Sequence, residues 1–260
     1  PLVLTIHDLL WHQQRGQRVT TLKPWQYWPK YLAYRFVAAQ NVKQAKKILV
    51  PTQTIKRALS RYYPQAKDKT TVTLEGVDQR LLELKNDSAS RKEKTLLYVG
   101  SLYPHKNVEL VLKALQQLPD WRLIIVSARD AFVEQTEQLG RSLNVTSQLE
   151  FTGYLNDQEL AAQLQTATAL VQPSLSEGFG LTGLEALALQ TPVLASQIEI
   201  FKEVYQQAAL YFDPHSVESF LDTLRNLPQN KPSHKTMQAV VERYSWAELA
   251  KKTLEVYLSL

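Results

Sequence analysis

From residue 95 onward the apolar positions fall into short β-branched and aliphatic runs separated by segments with helical spacing. Residues 95–100, 121–127, 148–153, 167–174, 191–196 and 208–212 read as strands. Between them 107–118, 130–143, 157–165, 182–189 and 199–206 read as helices, with a further helix over 217–227. Strands alternating with helices predict an α/β fold with a doubly wound parallel sheet, Rossmann-like, whose ligands sit at the carboxyl ends of the strands. The loops at 100–106, 153–157 and 174–182 are therefore where chemistry is expected.

Residues 1–92 are less regular. A strand at 1–6, an aromatic segment, a strand at 48–51, a helix at 54–62 and a strand at 71–74 are too little for a complete Rossmann half. Pro29 is expected to break any simple helix in the basic aromatic segment KPWQYWPKYLAYR, 23–35. The polar stretch 84–94, LKNDSASRKEK, suits a linker. Behind Ser245 as N-cap, Trp246, Leu249, Thr253 or Leu254, Val256 and Tyr257 recur at helical spacing, which predicts a closing amphipathic helix.

Composition narrows the class. With no Cys, disulfides, thiol nucleophiles and cysteine-ligated zinc are excluded, and a cytoplasmic location is favoured. No apolar run approaches the roughly 20 residues that span a bilayer, and the opening PLVLTIHDLLWHQQRG has no basic leader region or small-residue cleavage site. Entry on Pro1, directly in a strand, leads us to expect a preceding segment. Charge is unevenly spread: residues 1–70 hold 13 Lys/Arg against 2 Asp/Glu, a balance of +11, and the remainder holds 17 against 23, a balance of −6. That split suits an anionic partner for the first part, either membrane lipid or a phosphorylated acceptor, with an ordinary solvated face as the plain alternative. No nucleic-acid motif accompanies these charges, so no nucleic acid is expected as partner.

The chemistry concentrates in LVQPSLSEGFGLTGLEALALQTPVLAS, 170–196. An apolar strand runs into Pro173, then into a loop with two glycines, then into a helix whose start carries Glu185. Gly178 and Gly180 let backbone amides approach a ligand, and the free N–H groups at a helix start attract phosphate. Carboxylates there would repel phosphate, so Glu177 and Glu185 suit neutral hydroxyls. A glycine-rich βα turn with a capping carboxylate is the structural alternative.

Glu177-Gly178-Phe179-Gly180-Leu181 followed by Glu185 resembles the Glu-x7-Glu motif of retaining glycosyltransferases with the GT-B fold, family 4. Other segments resemble the family in the same order. Tyr98-Val-Gly100-Ser101-Leu-Tyr-Pro-His105-Lys106-Asn107 is similar to the loop where a Lys meets the donor diphosphate, with Asn107 suited to cap the next helix. Phe151-Thr-Gly-Tyr154-Leu155-Asn-Asp157 is similar to the loop over the nucleobase, and Ala208–Pro214 to a recurring family segment. His7-Asp8 resembles the pair at the donor-facing edge of the N-terminal domain, Val77-Asp78 the interdomain hinge, and Ser245-Trp246 the start of the closing helix. Three departures stand out. A first strand and glycine turn are absent, Ser101 stands where many members have Arg although some place an Arg at the position of His105, and Gln190 replaces a usual Gly.

The resemblance implies a donor-binding domain at 93–244, the C-terminal part of an acceptor-side domain with its linker at 1–92, and a closing helix at 245–260. It implies transfer of a hexose, mannose or similar, from a GDP- or UDP-linked donor to a glycan or lipid-linked acceptor, in polysaccharide synthesis, with retention. His7, Lys106 and Glu177 are the expected catalytic groups. Gly100, Ser101, His105, Tyr154, Leu155, Gly178, Phe179, Gly180, Leu181 and Glu185 are the expected donor contacts. No metal and no cofactor are expected, since nothing resembles the Asp-x-Asp diphosphate clamp. For the basic aromatic segment two settings are open: contact with anionic membrane at the inner face or with a lipid-diphosphate acceptor, and an aromatic packing surface under a preceding portion of the chain. The competing reading is a catalytically inactive nucleotide-sugar-binding or scaffold protein of the same fold. Sugar phosphorylases share that fold, but no lysine-bearing segment suits pyridoxal phosphate.

Overall fold

Runs of aliphatic residues that are buried on alternate faces become the strands of two parallel sheets. The computed structural model describes residues 1–14, 20–86, 90–128 and 132–260. In the first part, β1 (Val3–Thr5), α1 (Leu10–Gln13), α2 (Pro24–Gln44), β2 (Lys47–Val50), α3 (Gln53–Tyr62), β3 (Thr70–Val72) and α4 (Gln79–Glu83) follow one another. The strands pair in the order β1-β2-β3, all parallel.

The second part continues with β4 (Thr95–Val99), α5 (Val108–Leu115), β5 (Arg122–Val126), α6 (Val133–Ser142), β6 (Leu149–Phe151), α7 (Asp157–Thr166) and β7 (Ala169–Gln172). It then runs through α8 (Leu181–Ala188), β8 (Val193–Ser196), α9 (Glu199–Tyr205), β9 (Ala209–Phe212), α10 (Val217–Arg225), α11 (Leu227–Asn230), α12 (His234–Val241) and α13 (Trp246–Leu258). All six strands are parallel, in the order β6-β5-β4-β7-β8-β9. This is the doubly wound order, and the winding reverses between β4 and β7, where such sheets open a crevice for ligands.

Both faces of the larger sheet are covered. Leu96, Tyr98, Leu123, Ile125 and Val171 pack with α5 and α10, while Leu97, Ile124, Leu170 and Val193 pack with α8 and α9. The second cluster runs on into Ile48, Val50, Ile55 and Leu59, so the two sheets share one core. Glu203 on α9 also crosses between them, accepting from the backbone N–H of Gln53 (2.7 Å) and Thr54 (2.8 Å) and from the Thr54 hydroxyl (2.6 Å). A carboxylate at the start of α3 meets that helix's free amides and the positive end of its dipole.

Several expectations need correction. Pro29 does not break the aromatic segment: it lies inside α2, a helix of 21 residues. The proline falls in the second turn, and both it and Trp25, whose carbonyl it leaves without an intrahelical donor, are exposed. Of the aromatic residues in this segment, Tyr31 is buried and Tyr34 half-buried, and only Trp25 and Trp28 are largely exposed. Asn107 sits at the N-cap position of α5 but makes no side-chain cap. Its Nδ2 instead donates to the carbonyls of Pro173 (3.0 Å) and Pro214 (2.9 Å), tying the ends of two strands together.

Ser245 does cap α13, accepting from the Glu248 amide at 3.4 Å, and the backbone at Ser245–Trp246 lies against Gly76. The inward stripe is narrower than expected, because Trp246, Leu254 and Tyr257 are exposed and Val256 is the buried residue of the helix. The start of the helix expected at 130–143, and 87–89 of the expected linker, lie outside the described residues. Arg91 of that linker donates to the carbonyls of Ala167 (2.9 Å) and Gln190 (2.7 Å), which ties it along the larger sheet.

Candidate active site

The loops after β4 and β7 meet at the reversal point and are stitched together there, the Leu175 amide donating to the His105 carbonyl at 2.8 Å. The stitch presents Lys106 to the opposite loop. Its Nζ donates to Glu177 Oε1 at 2.8 Å and Oε2 at 2.9 Å, and Ser174 Oγ donates to Oε1 at 2.7 Å. Both partners are mostly buried, at 21% and 15% side-chain exposure. Two opposite charges that desolvate together in this way need each other, since either one alone would be a buried uncompensated ion.

Around this pair lies a cavity of about 240 Å³ that brings together His7, Gly100, Lys106, Glu177, Gly178, Phe179, Gly180 and Leu181. Gly178 holds the two parts of the chain in contact: a Cβ there would stand 2.8 Å from the His7 carbonyl oxygen and 3.1 Å from the Asp8 Cβ. Gly180 adopts φ +102°, a region that side-chain-bearing residues avoid, at the N-cap of α8. As glycine it offers that helix no side-chain cap, and Leu181 and Thr182, whose amides begin α8, line the cavity wall, an arrangement suited to an anion. The turn is buttressed by Tyr205 on α9, a fully buried phenol whose hydroxyl meets the Gly180 carbonyl at 2.7 Å and the Gln172 amide. Burial, reinforced by the nearby Glu177 charge, pushes that phenol well above its ordinary pKa, so it stays a neutral hydrogen-bonding strut.

Other expected residues fall outside the cavity wall. Glu185 is on α8, one turn beyond Leu181, and burial raises its pKa, with the charges of Asp78 and Asp157 adding to the effect. A carboxylate held in that setting gains by accepting hydroxyl hydrogen bonds. Tyr154 is 76% exposed, and Leu155 packs against the core. The Ser101 carbonyl accepts from the Tyr98 hydroxyl. His105 is buried, its ring 5.9 Å from that of Tyr103. Phe179 lines the cavity, and its ring packs edge-on against Tyr244 at 5.5 Å.

Sequence reasoning missed Glu75, Ser174, Gln172 and Tyr205. Glu75 Oε1 lies 3.0 Å from His7 Nδ1. Ser174 precedes the glycine turn and had a local signal, three residues before Glu177. Glu75 and Tyr205 reach the site from 68 and 25 residues away in the chain and had none.

Residues 82–252 match the sequence profile described as Glycosyl transferases group 1. The chain belongs to this family. It is 30% identical over 253 residues to the O-antigen chain mannosyltransferase RfbU of Salmonella typhimurium, an alignment covering 94% of this chain and 70% of that protein. It is 28% identical over 254 residues to the D-inositol 3-phosphate glycosyltransferase of Corynebacterium glutamicum, covering 88% of this chain and 61% of that one. Its fold matches Anabaena HepE, solved in complex with UDP and glucose, with a TM-score of 0.80 at 18% identity over 100% of this chain and 72% of that chain. The group 1 chain thus has the GT-B type of α/β fold, with its crevice where the winding of the larger sheet reverses.

Proposed function

We propose that the protein moves a hexose, with retention of configuration and without a metal, from a GDP- or UDP-linked donor to a hydroxyl of a glycan or lipid-linked acceptor. The observation that carries this reading is the Lys106–Glu177 pair at the carboxyl ends of β4 and β7, with His7 facing it across the cavity. Residues 93–244 would bind the donor, 1–92 would face the acceptor, and α13 would close the two parts together. The Lys106 ammonium and the first amides of α8 supply positive potential for a departing diphosphate, which supports electrostatic catalysis by the chain's own groups. Glu177 has both oxygens engaged by Lys106 and Ser174, which suits orienting a sugar hydroxyl better than attacking an anomeric carbon. The departing phosphate would then take the acceptor proton on the same face. Glu185 suits the ribose hydroxyls.

The name of RfbU favours mannose as the sugar and O-antigen-like polysaccharide assembly as the process. No helix among the described residues is long and apolar enough to cross a membrane. α2 nevertheless exposes Trp25, Trp28, Leu32 and Phe36 along one side, at 70%, 48%, 65% and 67%, and carries Lys30, Arg35 and Lys43 with no acidic residue. An apolar aromatic ridge flanked by cations suits an anionic bilayer surface, which would set the protein at the cytoplasmic face of the membrane. The convergence of Lys106, Glu177 and His7 in one cavity argues for turnover against a purely structural role.

Calorimetry with UDP, GDP and ADP in the presence of EDTA tests the donor site. One of the three is expected to bind the folded chain. Silence from all three overturns the assignment.

A further inference from the structure

We infer that Glu75 is a positioning residue that sets the orientation and tautomer of His7, so that the His7 Nε2 lone pair is presented to the donor cavity. Glu75 lies between β3 and the crossing into the larger sheet, and its side chain is 10% exposed while that of His7 is 71% exposed. Both line the same cavity. Its Oε1 is 3.0 Å from His7 Nδ1, and a carboxylate only accepts hydrogen bonds, so the neutral imidazole carries its proton on Nδ1. Which ring nitrogen is protonated follows from the hydrogen bond that the other makes. Nε2 is then an acceptor.

Stability alone is a weak reason for the pair, because withdrawing a carboxylate from water carries a desolvation cost that a partner left in water offsets only in part. Gly178 packs on the His7 carbonyl and holds its backbone, so Glu75 is left to set the ring. An acceptor nitrogen there suits a hydroxyl of the transferred sugar, a step that rests on the donor-site reading above.

The test has two arms on the full chain. In the first, long-range proton–nitrogen spectra of the histidine rings, with His7 assigned by His7→Gln, are expected to show His7 protonated at Nδ1. In Glu75→Met the Nε2–H form is expected to appear, and Glu75→Gln, which keeps an acceptor oxygen, is expected to retain the Nδ1–H form in part. An Nε2–H tautomer in the unaltered protein, or a His7 spectrum unmoved by Glu75→Met in a variant with intact circular dichroism, overturns the inference. The second arm compares GDP with GDP-mannose and UDP with UDP-glucose by calorimetry. Glu75→Met should weaken the nucleotide sugar about fivefold, the scale of one hydrogen bond, and leave the nucleoside diphosphate unchanged. Equal loss for both, or for neither, refutes the positioning role. If no nucleotide binds at all, the donor-site reading fails, and the ring spectra still decide the dyad.

Discussion

Lys106 Nζ reaches both carboxylate oxygens of Glu177, at 2.8 and 2.9 Å, across 71 residues of sequence. The two groups proposed to meet the diphosphate and the sugar are therefore bound to each other in the free protein. Each holds the other in place, and donor binding must share or part them.

That relationship separates three variants. Glu177→Gln removes the counter-charge and leaves the ammonium, so turnover should fall while nucleoside diphosphate affinity holds or rises. Lys106→Met should weaken the diphosphate at least about tenfold, the scale of a charged hydrogen bond. Glu185→Gln should weaken the nucleotide as well, through the ribose. Calorimetry with the diphosphate that binds the unaltered chain checks all three, and equal loss in the two glutamate variants refutes the division of roles.

Gln190 follows α8 with φ +62°, at a position where the family resemblance points to glycine. Its backbone bonds, N–H to Leu187 at 2.9 Å and carbonyl from Arg91 at 2.7 Å, do not need the side chain. Gln190→Gly should relieve about 1 kcal/mol of left-handed strain and raise the thermal midpoint by roughly 2–4 °C. An unchanged or lowered midpoint by calorimetric scan counts against the strain.

His12 is buried between the Tyr63 and Tyr34 hydroxyls, each 2.8 Å from a ring nitrogen. Burial first, and then the Arg35 charge, lower its pKa from 6.5 to about 4. Between those values the unfolded chain takes up a proton that the folded one refuses, so this contribution is intact above pH 6.5 and is lost as pH falls toward 4. The difference amounts to at most about 3 kcal/mol. Thermal melts should show the unaltered protein losing its advantage over His12→Gln across that window. Parallel curves would dismiss the effect.

The exposed ridge of α2 should sediment the protein with vesicles containing acidic lipid and release it as salt rises, the screening length falling to roughly 3 Å at 1 M. Neutral vesicles should bind much less. Replacing Lys23, Lys30 and Lys43 with Gln, or Trp25 and Phe36 with Ser, should weaken binding without unfolding. Arg35 is a poor choice, since its guanidinium donates to the Tyr31 hydroxyl at 3.1 Å and is half-buried. Indifference to acidic vesicles at low salt would remove the membrane from the proposal and favour a soluble acceptor.

By itself the sequence determined the larger sheet. Its central strands are buried on both faces and therefore read as unbroken aliphatic runs such as Leu96-Leu97-Tyr98 and Leu123-Ile124-Ile125, a signal within a few residues. The glycine turn and its two glutamates were equally local. The length of α2 was not, because the packing of Tyr27, Tyr31 and Val42 on its inner side carries the helix through Pro29, and that packing is not visible in the local pattern. Glu75 against His7, Tyr205 under Gly180 and Lys106 on Glu177 are pairings across 68, 25 and 71 residues. Tertiary structure alone decided them, because hydrogen bonds of this kind depend on where parallel strands place their ends, and strand order is not written in any local pattern.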